Sequence, residues 1–187
     1  SANLEAIADS GYLGNPYRAA RVFGAAVPEN VPRTRSSRAL NLRAIGDLGS
    51  PNAPRSAIRG SYRYFWDNWD VKSHTVEGGY SRYVGESFLL DGFVRHYRQS
   101  KASFYSDDAQ VQNTYVTRNR QLGTYSGNTL GGKVTYSWKK VPGQYEIKFI
   151  GGLEVLRYRY SDYTDLRSGS AYSLNASVLQ LYVTANY

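Results

Sequence analysis

The chain has 187 residues, a formal net charge of +8, and neither Cys nor Met. That length suits one domain with a core of its own, and the missing thiols exclude a disulfide framework and any Cys-ligated metal. Mean hydropathy is −0.53 and no apolar run approaches the ~18 residues of a membrane helix. Barrel strands nevertheless alternate apolar and polar side chains and so average to a hydrophilic value.

A translated chain starts with Met, so an N-terminal part is expected to be missing, either an export signal already removed or a longer piece of the protein. Tyr and Gly are frequent, at 18 each, and aromatic residues reach 14%. Barrels use Tyr in interfacial girdles and Gly at crowded bends. Lys and Arg recur at alternate positions of strand-like segments rather than in runs, which argues against a nucleic-acid partner.

Residues 1–35 read as an extracellular loop segment. It opens with a short helix carried by Leu4, Ile7 and Ala8 and continues through turn residues and Pro28 and Pro32. Period-2 alternation begins at Ser36, which makes residues 36–187 the strand region of one barrel domain. In 38–47, Leu40, Leu42 and Ala44 oppose Asn41, Arg43 and Asp47. In 55–66, Ile58, Gly60, Tyr62, Tyr64 and Trp66 oppose Arg55, Arg59, Ser61 and Arg63. In 72–84, Val76, Gly78 and Tyr80 oppose Thr75, Glu77 and Ser81. In 87–98, Phe88, Leu90, Gly92 and Val94 oppose Asp91, Arg95 and Tyr97. In 130–139, Leu130, Val134, Tyr136 and Trp138 oppose Lys133, Thr135, Ser137 and Lys139. In 145–155, Tyr145, Ile147, Phe149, Leu153 and Val155 oppose Glu146, Lys148 and Glu154. The last run sets Leu179, Leu181, Val183, Ala185 and Tyr187 against Gln180, Tyr182, Thr184 and Asn186.

Most of these seven candidates run about ten residues or more, long enough for a tilted strand to cross a bilayer; a soluble strand averages ~5–6 residues. The connections at 49–54, 84–86 and 140–143 are short and turn-rich, whereas 99–129 and 157–172 are long. With the C-terminus in the periplasm, the tight turns fall there and both long loops fall outside, with 67–70 as a short outer connection. Bacterial single-chain barrels close with an even strand number. Seven strands therefore imply at least one outward-running strand ahead of Ser1, the chain being the C-terminal part of a larger barrel. The terminal run Leu179, Leu181, Val183, Ala185, Tyr187 resembles the signature by which barrels are recognised for assembly, where the last residue is usually Phe.

The segments GYLGNPYR (11–18), VPENVPRTRSSRALNLR (27–43), YRYFWDNWDVKSHTVEGGY (62–80), FVRHYRQSKASFYSDD (93–108) and TRNRQLGTYSG (117–127) together resemble a family of uncharacterised outer-membrane β-barrel proteins defined only as a domain of unknown function. Genes of that family often lie near small lipoprotein, thioredoxin-like and flavin-transferase genes, which implies a lipoprotein or redox partner. Where the family usually has Asp before the Pro of the first segment, this chain has Asn15. Asn119-Arg120 likewise replaces the usual Asp-Gln/Arg. The family has no agreed catalytic residues, and the resemblance carries none over.

Catalytic constellations are poor. Of the two histidines, His74 follows Ser73, but strand neighbours point to opposite faces and cannot form a nucleophile–base pair. His96 reads as packing or girdle. The loop carboxylates Asp67, Asp70, Asp107, Asp108, Asp162 and Asp165 lack complete ligand spacing and read as Asx-turns, so no metal or cofactor is expected. The polar face is richer: Arg55, Arg59, Arg63, Asp91, Arg95, Lys133, Glu146, Lys148 and Glu154 are expected to line a lumen. They would face water or one another there, because such charges cannot be desolvated singly. Ile58, Tyr62, Val134, Tyr136, Ile147, Phe149 and Leu181 are expected to face lipid.

The sequence thus predicts an all-β transmembrane antiparallel meander β-barrel in the bacterial outer membrane, with outer-membrane lipids and the barrel-assembly machinery as partners. It is expected not to be an enzyme. The function expected is a porin-like conduit or a scaffold for exported partners. The alternative is a non-conducting surface-binding or structural barrel acting through its long extracellular loops.

Overall fold

A computed structural model describes residues 1–15, 17–49, 55–141 and 145–186. Tyr187 and most of the turns at 49–54 and 140–143 lie outside the described residues. The strands are β1 (Ala2–Ser10), β2 (Ala19–Val22), β3 (Ala25–Pro28), β4 (Thr34–Asp47), β5 (Ser56–Asp67), β6 (Lys72–Val84), β7 (Phe88–Gln99), β8 (Tyr125–Val141), β9 (Tyr145–Thr164) and β10 (Ala171–Asn186). A 3-10 turn at Arg120–Leu122, capped by the Asn119 side chain, is the one helical element among the described residues.

The fold is all-β and antiparallel. Eight strands form one sheet in the order β1-β4-β5-β6-β7-β8-β9-β10, and β2 and β3 make a separate hairpin. All seven expected strands are present. The first ten residues differ from expectation: they form β1, not a helix, paired with β4 from Ala2↔Leu42 to Ser10↔Thr34. A helix that short is marginal on its own, whereas an extended segment gains a ladder over its whole length, against Thr34–Leu42 of β4. β1 adds an eighth strand to the sheet within residues expected to be loop, so residue 36 does not divide loop from sheet. Among the described residues β1 and β10 each have a single ladder, so the sheet is open at both.

The strands are long. β5 and β7 have 12 residues and β9 has 20, against the ~9–11 that a tilted transmembrane strand requires. Register runs unshifted from β1 through β8. Irregularities occur between Ser137 and Lys139 on β8 and between Ala171 and Ser173 on β10.

The buried apolar clusters are not in the sheet. Trp69, Val71, Ala102, Tyr105 and Leu122 form one, with Tyr12, Phe65 and Phe104 against it; Ala20, Ala109 and Val116 form another. They belong to the connections β1–β4, β5–β6 and β7–β8, which meet at one end of the sheet as a packed cap. The short β5–β6 turn anchors it: the Trp69 indole N–H donates to the Thr34 carbonyl at 2.9 Å. Asn30 and Val116 exchange backbone hydrogen bonds at 3.1 and 2.9 Å, and the Tyr105 hydroxyl donates to the Asp162 carbonyl at 2.9 Å.

Candidate functional site

Directly opposite residues of an antiparallel pair share a side of the sheet, so the ladders sort every side chain onto one of two faces. One row runs Leu42, Tyr62, Val76, His96, Asn128, Arg157. The next runs Arg43, Ser61, Glu77, Arg95, Thr129, Leu156. Followed through the ladders, Ile58, Tyr62, Val134, Tyr136, Ile147, Phe149, Leu179, Leu181, Val183 and Ala185 all fall on one face. Arg59, Arg63, Asp91, Arg95, Lys133, Glu146, Lys148 and Glu154 all fall on the other. Arg55, just ahead of β5, lies with its guanidinium 5.5 Å from the centre of the Tyr83 ring on the charged face.

The apolar face is exposed along its length: Leu130 is 62% exposed, Leu153 51% and Leu181 76%. The charged face is half-buried at its centre, at Arg59, Glu77 and Asp91, where the sheet curls around it. Arg43 on β4, Lys133 on β8 and Gln180 on β10 line one cleft of about 320 Å³. A second cleft, nearer the cap and about 570 Å³, is lined by Arg43, Arg63, Glu77, Arg95, Tyr97, Tyr125 and Tyr158. Tyr158 lies flat over Gly127, where a Cβ would sit 2.5 Å from its ring, so the glycine keeps that wall low.

Ion pairs cross the charged face. The Arg95 guanidinium holds Glu77 through Nη2 at 2.7 Å and Nε at 2.8 Å. Arg59 lies 3.9 Å from Glu77 and 3.7 Å from Asp91, and its Nη1 donates to Ser81 Oγ at 3.1 Å. Ser81 Oγ donates in turn to Asp91 Oδ1 at 2.5 Å. Asp91 Oδ2 accepts no hydrogen bond among the described residues; Lys133 Nζ faces it at 3.6 Å. Lys148 pairs with Glu146 at 2.7 Å. Arg43 and Arg63 join no carboxylate among the described residues, so the cap-side cleft keeps a positive surplus. Within the ladders every described carboxylate shares this face: Glu5, Asp9, Asp47, Asp67, Glu77, Asp91, Glu146 and Glu154.

The remaining candidates resolve as structural. Ser73 is buried on the charged face, while His74 sits on the apolar face with Nδ1 2.7 Å from the Tyr62 hydroxyl. His96 Nδ1 lies 2.8 Å from Asn128 Oδ1. Four of the loop carboxylates hold the cap together, and Asp165 accepts from the Arg167 amide within its own loop at 3.0 Å. Asp67 Oδ1 accepts from the Trp69 and Val71 amides, both at 2.9 Å. Asp107 takes Arg118 at 2.7 Å, Asp108 accepts from Gly24 N–H, and Asp162 from Thr124 N–H. The Asn15 backbone N–H donates to the Glu29 carboxylate at 2.8 Å.

Two cap interactions carry no local sequence signal. Arg35 grips the fully buried Asp67 carboxylate at 2.6 Å, and the Thr117 hydroxyl donates to buried Glu29. Their partners are 32 and 88 residues apart. Burial pushes the Tyr105 phenol above its usual range, and the nearby Asp162 and Asp107 add to the rise.

A family model described as "Protein of unknown function (DUF3570)" matches residues 1–170. No curated protein and no solved structure matches the chain.

Proposed function

The chain belongs to this family of proteins of unknown function, and we propose that it forms the wall of an outer-membrane β-barrel enclosing a wet, anion-favouring interior. One observation carries the reading. The apolar side chains that would make a core in a soluble sheet stand exposed mainly on one continuous face, while the ion pairs of the ladders and the ladder carboxylates share the other. Contiguous exposed apolar surface of that extent marks contact with a membrane or partner. Long strands with outward apolar and inward polar residues are the transmembrane pattern. In hydrocarbon an unpaired strand edge is not tolerated, so the reading requires β1 and β10 to be joined, to each other or to further strands.

The interior reading rests on charge. Arg43 and Arg63 add positive potential beyond the paired network, and cation-lined pores favour anions. Heat-modifiable gel migration after folding into lipid tests the barrel, and planar-bilayer recording tests the conduit. Folded protein without conductance overturns the conduit.

A second reading has its own observation. The cap packs over one end of the sheet, with Gln99 from the charged face donating to the Gln121 and Gly123 carbonyls at 2.8 and 3.0 Å. A closed end suits a non-conducting barrel that presents its loops to an exported partner, and a folded, silent protein supports it.

A further inference from the structure

The apolar face is not uniformly apolar. Toward the cap it carries Arg38, Lys72, Arg98, Arg157 and Arg159, all exposed. The ladders bring them together: Arg38 shares a row with Trp66 and Lys72, and Arg98 shares the next with His74 and Arg159. None of the five has an ion-pair partner among the described residues, and no ladder carboxylate lies on their face. Arg82 stands apart, toward the tight turns.

Taken with the membrane reading above, on which this inference rests, these charges cannot lie in hydrocarbon, where a lipid-facing Arg or Lys is costly and the cost fades only at the interface. The aromatic residues agree. Tyr62, Tyr64 and Trp66 share that end of the same face, Tyr64 and Trp66 stacked at 5.2 Å, and Tyr and Trp concentrate at headgroup level. Unpaired guanidiniums at headgroup level match phosphate, which they bind in a bidentate fork. Arg98 and Arg159 sit two strands apart, ~10 Å at the usual spacing, with Arg157 beside them on β9. One cation could serve a single phosphate; this spread fits a headgroup carrying two.

We propose that the rim formed by Arg98, Arg157 and Arg159 binds the phosphorylated headgroup of a lipid in the leaflet on the cap side. The test uses the full chain in phosphatidylcholine nanodiscs, titrated with lipid A carrying two phosphates and with the same lipid after dephosphorylation, bound lipid being counted by native mass spectrometry. The expected result is binding at least about tenfold tighter for the phosphorylated form. The preference should vanish in the Arg98→Gln/Arg157→Gln/Arg159→Gln variant and persist in Arg82→Gln. Equal binding of the two lipids, or a triple variant that keeps the preference, overturns the proposal. A Leu130→Cys variant in the same nanodiscs separates this from failure of the membrane reading. If a water-soluble maleimide labels it, the face is not in lipid. If it stays protected and the lipids bind equally, the rim proposal alone falls.

Discussion

Arg59 on β5 reaches Asp91 on β7, Nη1 to Oδ1 at 3.7 Å, by lying across the intervening strand β6 directly over Gly79. A Cβ at Gly79 would sit 2.7 Å from the guanidinium carbon and from Nε, so the glycine makes the crossing possible. Gly79→Ala is expected to push Arg59 aside and leave Asp91 short of a charged partner, at about 1–3 kcal/mol. Combined with Arg59→Ala, the same substitution should add little further cost. A double-mutant cycle by denaturant unfolding checks this; equal costs of Gly79→Ala in the two backgrounds would contradict it.

Arg59 and Arg63 should part company when each is replaced by Gln. Arg59 serves two carboxylates, so its loss should lower stability, whereas Arg63 joins no carboxylate among the described residues and sits 5.5 Å from the Phe65 ring. On the conduit reading Arg63→Gln leaves folding intact and lowers anion over cation selectivity in bilayer recordings. Unaltered selectivity in a conducting protein would remove Arg63 from the path.

Val134 and Thr135 are neighbours on β8 with opposite faces. Val134→Arg should destabilise the lipid-embedded protein by roughly 2–4 kcal/mol if the site lies near mid-bilayer, with Thr135→Arg costing less. Reversible unfolding in vesicles gives both values. The opposite ranking would mean the apolar face is not in lipid.

The cap has a pH limit set by Tyr105. Its folded pKa is raised above the ordinary 10.0, mainly by burial and further by Asp162 and Asp107. A raised pKa means that the neutral phenol is favoured in the fold. Its contribution is full below pH 10 and is lost as pH climbs beyond that toward the folded value. Amide protection in the cap, taken relative to base-catalysed intrinsic exchange, should fall above about pH 10, and Tyr105→Phe should flatten that fall while loosening the cap at neutral pH through loss of the Asp162 bond. An alkaline response identical in both proteins would assign the effect elsewhere.

The alternation in the sequence carried the strands β4 to β10 and the parity along most of them, because side-chain period and register are coupled: one residue of slip inverts a strand. Lys139 shows this, since past the irregularity after Ser137 it pairs with Ile147 of the apolar face and not with the charged row expected for it. Three features were not legible. The β1 segment reads as a short helix in sequence, since Leu4, Ile7 and Ala8 fit a helical spacing, and only pairing with β4 selects the strand. The β2–β3 hairpin is four residues a side, too short for periodicity to speak. The cap depends on contacts between distant segments, such as Trp69 with Tyr12 and Phe104 at 5.2 and 5.1 Å. The short β5–β6 connection therefore looked like an exception among outer loops when it is the cap's anchor. Ion pairing on the charged face was foreseen as one of two outcomes. The structure shows a paired network around Asp91 and Glu77 and leaves Arg43 and Arg63 without a carboxylate among the described residues.

The central claim is that the apolar face lies in lipid, and β9 tests it most directly. The chain has no Cys, so single cysteines at 153, 154, 155 and 156 can each carry a nitroxide in bilayer vesicles. Collisions with oxygen, which partitions into lipid, are then compared with collisions with a water-soluble nickel chelate. The account predicts a two-residue alternation, with oxygen dominating at Leu153 and Val155 and the chelate gaining at Glu154 and Leu156. Chelate access at Leu153 and Val155 equal to that at Glu154 and Leu156 would contradict it.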